Sequence, residues 1–195
     1  MPVIVPPHLR VMSMAFIIKD RDNPVIWRGP MKMGAIKQFL TDVAWGDLDY
    51  LVVDSPPGTG DEPLTIIQLL GDADGAVIVT TPQAVATADV RRSIGFCRKL
   101  SLPVLGVLEN MSGFACPSCG VVTDIFDKGG GEQMARELGV PFLGRVPIDP
   151  QIARDCDQGR PFVQNHAASA TGLAFKKMLG EIQTSVERED KGRAS

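Results

Sequence analysis

Two stretches of this chain carry residue types that could do chemistry. The first is Val52-Val53-Asp54-Ser55-Pro56-Pro57-Gly58-Thr59-Gly60-Asp61, where an apolar run ends on an acid and then breaks at a Pro-Pro-Gly turn. If Leu51 to Val53 form a strand, Asp54 falls at its carboxyl end, the edge of an open α/β sheet at which ligands bind. A carboxylate there can hold Mg²⁺, directly or through water. Pro56 and Pro57 fix two φ angles and remove two N–H donors, while Gly58 and Gly60 let the backbone come close to an anion. The plainer alternative is a strand followed by an ordinary proline turn, and a bare Asp-x-Pro-Pro-Gly does not separate the two.

The second stretch is Glu109-Asn110-Met111-Ser112-Gly113-Phe114-Ala115-Cys116-Pro117-Ser118-Cys119-Gly120. Two thiolates two residues apart can grip one metal or one cluster edge, and the proline and glycine shape a knuckle that turns both sulfurs the same way. One pair is half of a tetrahedral set. Cys97 lies on an expected helix, Cys156 follows Pro150, and neither has a neighbouring ligand in sequence, so both read as buried small hydrophobes. His8 and His166 are likewise isolated. A symmetry mate would then be the economical source of two further sulfurs, across a two-fold interface. A redox thiol pair or a zinc knuckle remains the competing reading of Cys-x-x-Cys.

These stretches need elements to position them. Leu9 to Ile18 is a mostly apolar run that could form a buried strand, and Lys19 to Pro24 is a loop. Trp27-Arg28-Gly29-Pro30 breaks the chain, and Met33, Ile36, Phe39, Leu40 and Val43 then recur at helical spacing within Met31 to Trp45. Leu51 to Val53 is apolar without alternation, as a strand buried on both faces should be. A helix over Pro63 to Leu70, a buried strand over Gly75 to Thr80 and a helix over Ala84 to Leu100 follow. Then come a strand over Val104 to Glu109, the cysteine loop, a helix near Glu132 to Leu138 and a last strand over Phe142 to Val146. Alternation of this kind predicts an α/β fold with a doubly wound, mostly parallel sheet. Ala167 to Met178 reads as a packing helix, and Glu187 to Arg193 is too charged to bury. The expected organisation is one nucleotide-binding-type domain over residues 1–185 and a disordered tail over 186–195.

Composition narrows the function. The 195 residues are 44% hydrophobic and 22% charged, enough for one sizeable core, and the net charge of −3 with no basic stripe argues against a nucleic-acid partner. No apolar stretch approaches the ~20 residues of a membrane span, and no signal peptide opens the chain. Four cysteines in a chain of this length fit a metal or redox site in a reducing compartment better than a disulfide framework. A cytoplasmic protein without membrane contact is expected.

The motifs Trp27-Arg28-Gly29-Pro30-Met31, Asp54-Ser55-Pro56-Pro57-Gly58-Thr59-Gly60-Asp61, Thr80-Thr81-Pro82-Gln83, Glu109-Asn110-Met111-Ser112, Cys116-Pro117-Ser118-Cys119-Gly120, Gly129-Gly130-Gly131-Glu132 and Val146-Pro147-Ile148-Asp149-Pro150 stand in one order. In that order and spacing the chain resembles the Mrp/ApbC proteins, P-loop ATPases that carry iron-sulfur clusters and are related to ParA and MinD. The resemblance runs from about Val11 to about Pro161, and the conjunction is far more specific than any single motif. It implies that Asp54 is the acid that holds Mg²⁺ through water, and that Pro57 and Gly58 form the switch that senses the γ-phosphate of ATP. It also implies that Asn110 reads the adenine edge, with Pro147 and Asp149 lining the base pocket. Cys116 and Cys119 would share a bridging [4Fe-4S] cluster with the same pair of a second subunit, in a homodimer or heterodimer, for delivery to apoproteins.

In one respect the sequence departs from that family. Its Lys-Gly-Gly-Val-Gly-Lys-Ser/Thr phosphate loop is absent, and Lys128-Gly129-Gly130-Gly131-Glu132 has glycines with no following Lys-Ser or Lys-Thr. The expectation is therefore a domain lacking its first strand and phosphate loop, which hydrolyses no ATP by itself. The alternative is a non-catalytic module in which the cysteine pair binds a cluster or zinc at a dimer interface without nucleotide turnover.

Overall fold

Runs of β-branched and aliphatic residues separated by helical periodicity are what a parallel sheet with helical crossovers requires, and the described residues from Asp74 on fold in that way. The computed structural model describes residues 1–5, 8–18, 29–116, 119 and 121–193, with 188–193 as backbone alone. The loop expected over 19–24, and Trp27, Arg28, Pro117, Ser118 and Gly120, lie outside the described residues. Contacts divide the chain into two units, Met1–Ala73 and Asp74–Ser195.

In the first unit, β1 (Val3–Val5) pairs antiparallel with β2 (Leu9–Val11), with Val3 opposite Val11. Ser13 caps a short 3₁₀ turn over Met14–Phe16 through a bond from the Ala15 N–H. The buried strand expected over Leu9 to Ile18 is therefore three exposed or half-exposed residues and a turn, because Ser13 offers the backbone a cap where a strand would continue. Two helices follow, α1 (Gly29–Thr41) and α2 (Asp61–Leu70), packed together and joined by a 2.7 Å ion pair from Lys32 to Glu62. Asp61 and Glu62 in the first turn of α2 complement its positive end. The strand expected over Leu51 to Val53 does not form. These residues have no regular structure and no pairing partner, and Val52 is 89% exposed. A strand apolar on both faces is stable only between neighbouring strands under two covering layers, and the first unit supplies neither.

The second unit runs β3 (Ala76–Thr80), α3 (Ala84–Lys99), β4 (Val104–Glu109), β5 (Phe114–Ala115), β6 (Val122–Thr123), α4 (Gly130–Leu138), β7 (Phe142–Arg145), α5 (Pro150–Asp157), α6 (Phe162–Asn165) and α7 (Ala170–Arg193). The parallel sheet has the order β3-β4-β7, with Ile78 beside Val107 and Glu109 beside Arg145. Ile94 and Cys97 from α3 and Met134 and Ala135 from α4 pack with Ile78 and Val107. Neighbouring strand residues point to opposite faces, so Leu108 and Leu143 meet Met178, Phe175 and Ile182 of α7 on the other side. Helices therefore lie on both faces of the sheet at β4 and β7, as expected. The strand at β3, expected to be wholly buried, alternates instead: Ile78 and Thr80 are buried and Val77 and Val79 exposed. It pairs with β4 alone among the described residues. The range of α7 takes in most of the charged end of the chain, through Arg193. No helix among the described residues is long and apolar enough to cross a membrane.

Candidate functional site

Glu109, the last residue of β4, is fully buried, and its carboxylate organises the carboxyl edge of the sheet. It accepts from the Ser112 hydroxyl (2.6 Å), the Gly129 N–H (3.0 Å), the Gly131 N–H (2.6 Å) and Arg145 Nε (3.2 Å). Arg145 also pairs with Glu132 on the first turn of α4 and lies 5.1 Å from the Phe142 ring centre. Burial pushes the Glu109 pKa up, but the Ser112 hydroxyl, the two glycine N–H groups and the Arg145 charge outweigh it and hold the carboxyl below the ordinary glutamate value. A buried carboxylate with this many donors stays ionised and rigid.

This accounts for the glycine triplet that resembles a phosphate loop in sequence. Gly129 has φ +89°, and a Cβ on Gly130 would stand 2.0 Å from the Pro82 carbonyl oxygen. A Cβ on Gly131 would meet Thr80 at 2.9 Å and Glu109 at 3.1 Å. The N–H groups of Gly129 and Gly131 serve a carboxylate of the chain itself.

The sequence-expected residues fall around this hub in the second unit. Asn110 follows Glu109 directly. Its N–H donates to the Thr80 carbonyl (2.7 Å) and its side-chain oxygen accepts from Met111 N (2.9 Å). Met111 takes φ +56°, and the chain then turns alongside the segment after β7: Ser112 N donates to Val146 O (3.0 Å) and Ile148 N to Gly113 O (2.8 Å). Half-buried Pro147 sits between these two bonds. Asp149 caps α5, accepting from Gln151 N, and its second oxygen accepts from the Thr171 hydroxyl, both at 2.9 Å. Its carboxylate is thus committed to holding α5 and α7.

Cys116 and Cys119 lie in the connection between β5 and β6, the former half-buried with its N–H bonded to Val121 O (3.0 Å), the latter exposed. Among the described residues no group of three or more His, Cys, Asp or Glu side chains is gathered as a metal site. Cys97 is buried, as the sequence suggests, and burial raises its thiol pKa. Cys156, expected to be buried, is exposed near the end of α5, because the inward face of that short helix is taken by Ile152 and Asp155. His166 is not isolated: its Nε2 stands 2.9 Å from buried Asp155, and its ring stacks on Phe162.

In the first unit Asp54 is exposed and lines an apolar groove with Ile36, Phe39, Leu40, Val53 and Ile66. Pro57 and Gly58 are exposed, and Gly58 has φ +99°, a conformation that disfavours any side chain.

Sequence reasoning missed the roles of Glu109, Ser112 and Arg145. The available signal was an acid closing an otherwise apolar strand, with three glycines twenty residues on.

Comparison with known proteins fixes the family. A family profile described as NUBPL iron-transfer P-loop NTPase, within the ParA group, matches residues 1–183. The chain is 50% identical over 186 residues to a protein of Methanocaldococcus jannaschii named iron-sulfur cluster carrier protein. That match takes in 95% of this chain and 63% of the relative, so the chain spans less than two thirds of the relative's length. Among solved structures, a nucleotide-binding protein of Archaeoglobus fulgidus in complex with ADP, with cobalt found, superposes with a TM-score of 0.67 at 39% identity, over 82% of this chain and 60% of that one. The cell division ATPase MinD of Pyrococcus furiosus gives a TM-score of 0.56 at 24% identity, over 80% and 59%, a likeness of fold. The α/β fold is that of the MinD-like P-loop NTPases, and the chain belongs to the NUBPL iron-transfer P-loop NTPase family.

Proposed function

We propose that this chain is the part of an iron-sulfur cluster carrier that grips the cluster and reads the nucleotide, acting in a homodimer or in a heterodimer with a related subunit. The observation that carries this reading is the placement of Cys116 and Cys119. Cys116, half-buried, and Cys119, exposed, lie in the connection between the paired strands β5 and β6, and the backbone bonds that root that pair, from Ser112 to Val146 and from Ile148 to Gly113, run beside Asn110 and Pro147. Each chain offers two thiolates, and two chains supply the four that a [4Fe-4S] cargo requires. In this reading the cargo passes on to apoproteins.

Asn110 presents an amide that can both donate and accept, which suits an adenine edge, and Pro147 and Asp149 wall the base pocket of ATP. Asp54, an exposed acid in the groove that Glu62 also lines, suits Mg²⁺, since that ion keeps several waters and takes only one or two carboxylates together with phosphate oxygens. Pro57 and Gly58 are the backbone switch for the γ-phosphate. Turnover needs a phosphate-loop lysine and hydroxyl that do not occur among these residues, so the chain alone hydrolyses ATP no faster than buffer. The same absence favours, as a second reading, a non-catalytic metal-binding dimerisation module.

Anaerobic reconstitution with ferrous iron and sulfide tests the reading. The expected result is uptake that Cys116→Ser or Cys119→Ser abolishes and that Cys97→Ser and Cys156→Ser leave intact. Uptake at the parent ratio in the Cys116 and Cys119 variants refutes it.

A further inference from the structure

We infer that Glu109 is a positioning residue for the cysteine-bearing loop, its carboxylate clasping both ends of residues 110–128 and so fixing where Cys116 and Cys119 stand relative to Asn110. This rests on the reading of those cysteines as the cluster ligands. Among its described residues the strands of the loop, β5 and β6, are two residues each. A pair that short does not hold itself together in water. Backbone bonds from Ser112 N to Val146 O and from Ile148 N to Gly113 O tie its entry to the segment after β7, and what joins its entry to its exit is at its base. The Ser112 hydroxyl comes from its entry and the Gly129 and Gly131 N–H groups from its exit, and all three converge on one buried carboxylate. Arg145 supplies the countercharge from β7, the strand that continues into Val146, Pro147 and Asp149. The clasp therefore ties the entry of the loop, its exit and the proposed base pocket to a single group. Turning the carboxylate into an amide leaves one set of inward-facing donors without an acceptor, and the loop ends separate more easily than the sheet comes apart.

The test compares the whole chain with Glu109→Gln, which keeps the size of the side chain but turns an amide NH₂ toward one set of donors. Glu137→Gln serves as a control that removes an acid from an exposed ion pair with Arg91. Two readouts are taken: hydrogen exchange of the metal-free chain, and release of iron to a chelator after anaerobic reconstitution. In Glu109→Gln, exchange over 112–131 is expected to quicken roughly tenfold or more while the amides of α3 keep their protection, and iron release to quicken by about the same factor, as for the loss of a hydrogen bond to a charged group. Glu137→Gln should change neither. A folded Glu109→Gln chain with parent-like exchange in the loop and parent-like iron release overturns the inference. If Glu109→Gln does not fold, Ser112→Ala decides, since it keeps the carboxylate, both glycine donors and Arg145. Faster release at an unchanged melting temperature supports the clasp, and unchanged release refutes it. A parent chain that takes up no iron and sulfide sinks the carrier reading instead, and exchange of the metal-free chain still decides the role of Glu109.

Discussion

Replacing Gly130 by alanine probes the sheet edge where the glycine triplet meets β3. The new methyl would stand 2.0 Å from the Pro82 carbonyl oxygen and 3.0 Å from its carbonyl carbon. Ordinary contact needs about 3.5 Å, so the overlap is roughly 1.5 Å, and both neighbours are backbone atoms that cannot rotate aside. Relief requires the start of α4 or the turn after β3 to shift, which also stretches the glycine bonds to Glu109. Overpacking of that kind costs about 1–3 kcal/mol, and lengthening a buried charge-assisted hydrogen bond adds about 1 kcal/mol or more. Gly95→Ala is the matched control: Gly95 lies inside α3 with nothing within 4 Å of a built Cβ, so the substitution should stabilise by roughly 0.5–1 kcal/mol through helix propensity. Urea unfolding followed by circular dichroism should separate the two variants by about 2 kcal/mol or more, with unchanged slopes. A Gly130→Ala chain as stable as Gly95→Ala would refute the close approach and the purpose assigned to the triplet.

Acid should weaken the fold in a defined window. The carboxyl of Glu109 is held below its ordinary value of 4.5, so the folded state binds fewer protons than the unfolded one, and stability is lost as pH falls below about that value. Glu62 and Glu137 are also lowered, by hydrogen bonds from Lys32 and Arg91, but these pairs lie at the surface, and ~1 M salt screens their contribution while leaving that of Glu109. A melting temperature independent of pH from 5 to 3 in ~1 M salt, matching that of Glu109→Gln, would contradict this. Thiol labelling at neutral pH should modify Cys119 and Cys156 quickly and Cys97 slowly, because Cys97 is buried and its thiol pKa is raised; mass mapping that finds Cys97 labelled first would show the core wrongly placed. Met134→Ala, at a side chain 1% exposed between α4 and the sheet, should cost about 2–5 kcal/mol in the same urea assay, and a cost under ~1 kcal/mol would mean that site is not core.

Periodicity made most of the second unit legible. The apolar runs at Ala76–Thr80 and Val104–Glu109 and the spacing within Ala84–Lys99 specify strand and helix locally, and the structure keeps them nearly as bounded. What failed depends on neighbours. Leu51 to Val53 has the composition of a buried strand, but a parallel strand exists only by pairing, and no composition guarantees a partner. Cys156 was misjudged for a similar reason, since burial on a short helix depends on which face meets the core, and Ile152 and Asp155 hold that face. The cysteine pair and Asn110 were readable as motifs because their spacing is local. Glu109 was not, because its role arises from donors twenty and more residues away in sequence that meet only once β4, α4 and β7 are packed side by side.

The most direct test of the proposed role is native mass spectrometry of the chain after anaerobic reconstitution. The reading predicts a species of two chains carrying four iron and four sulfide, which gives way to single chains when the cluster is chelated and does not form in Cys116→Ser. Single chains each holding one zinc, or paired chains with no iron, would contradict it.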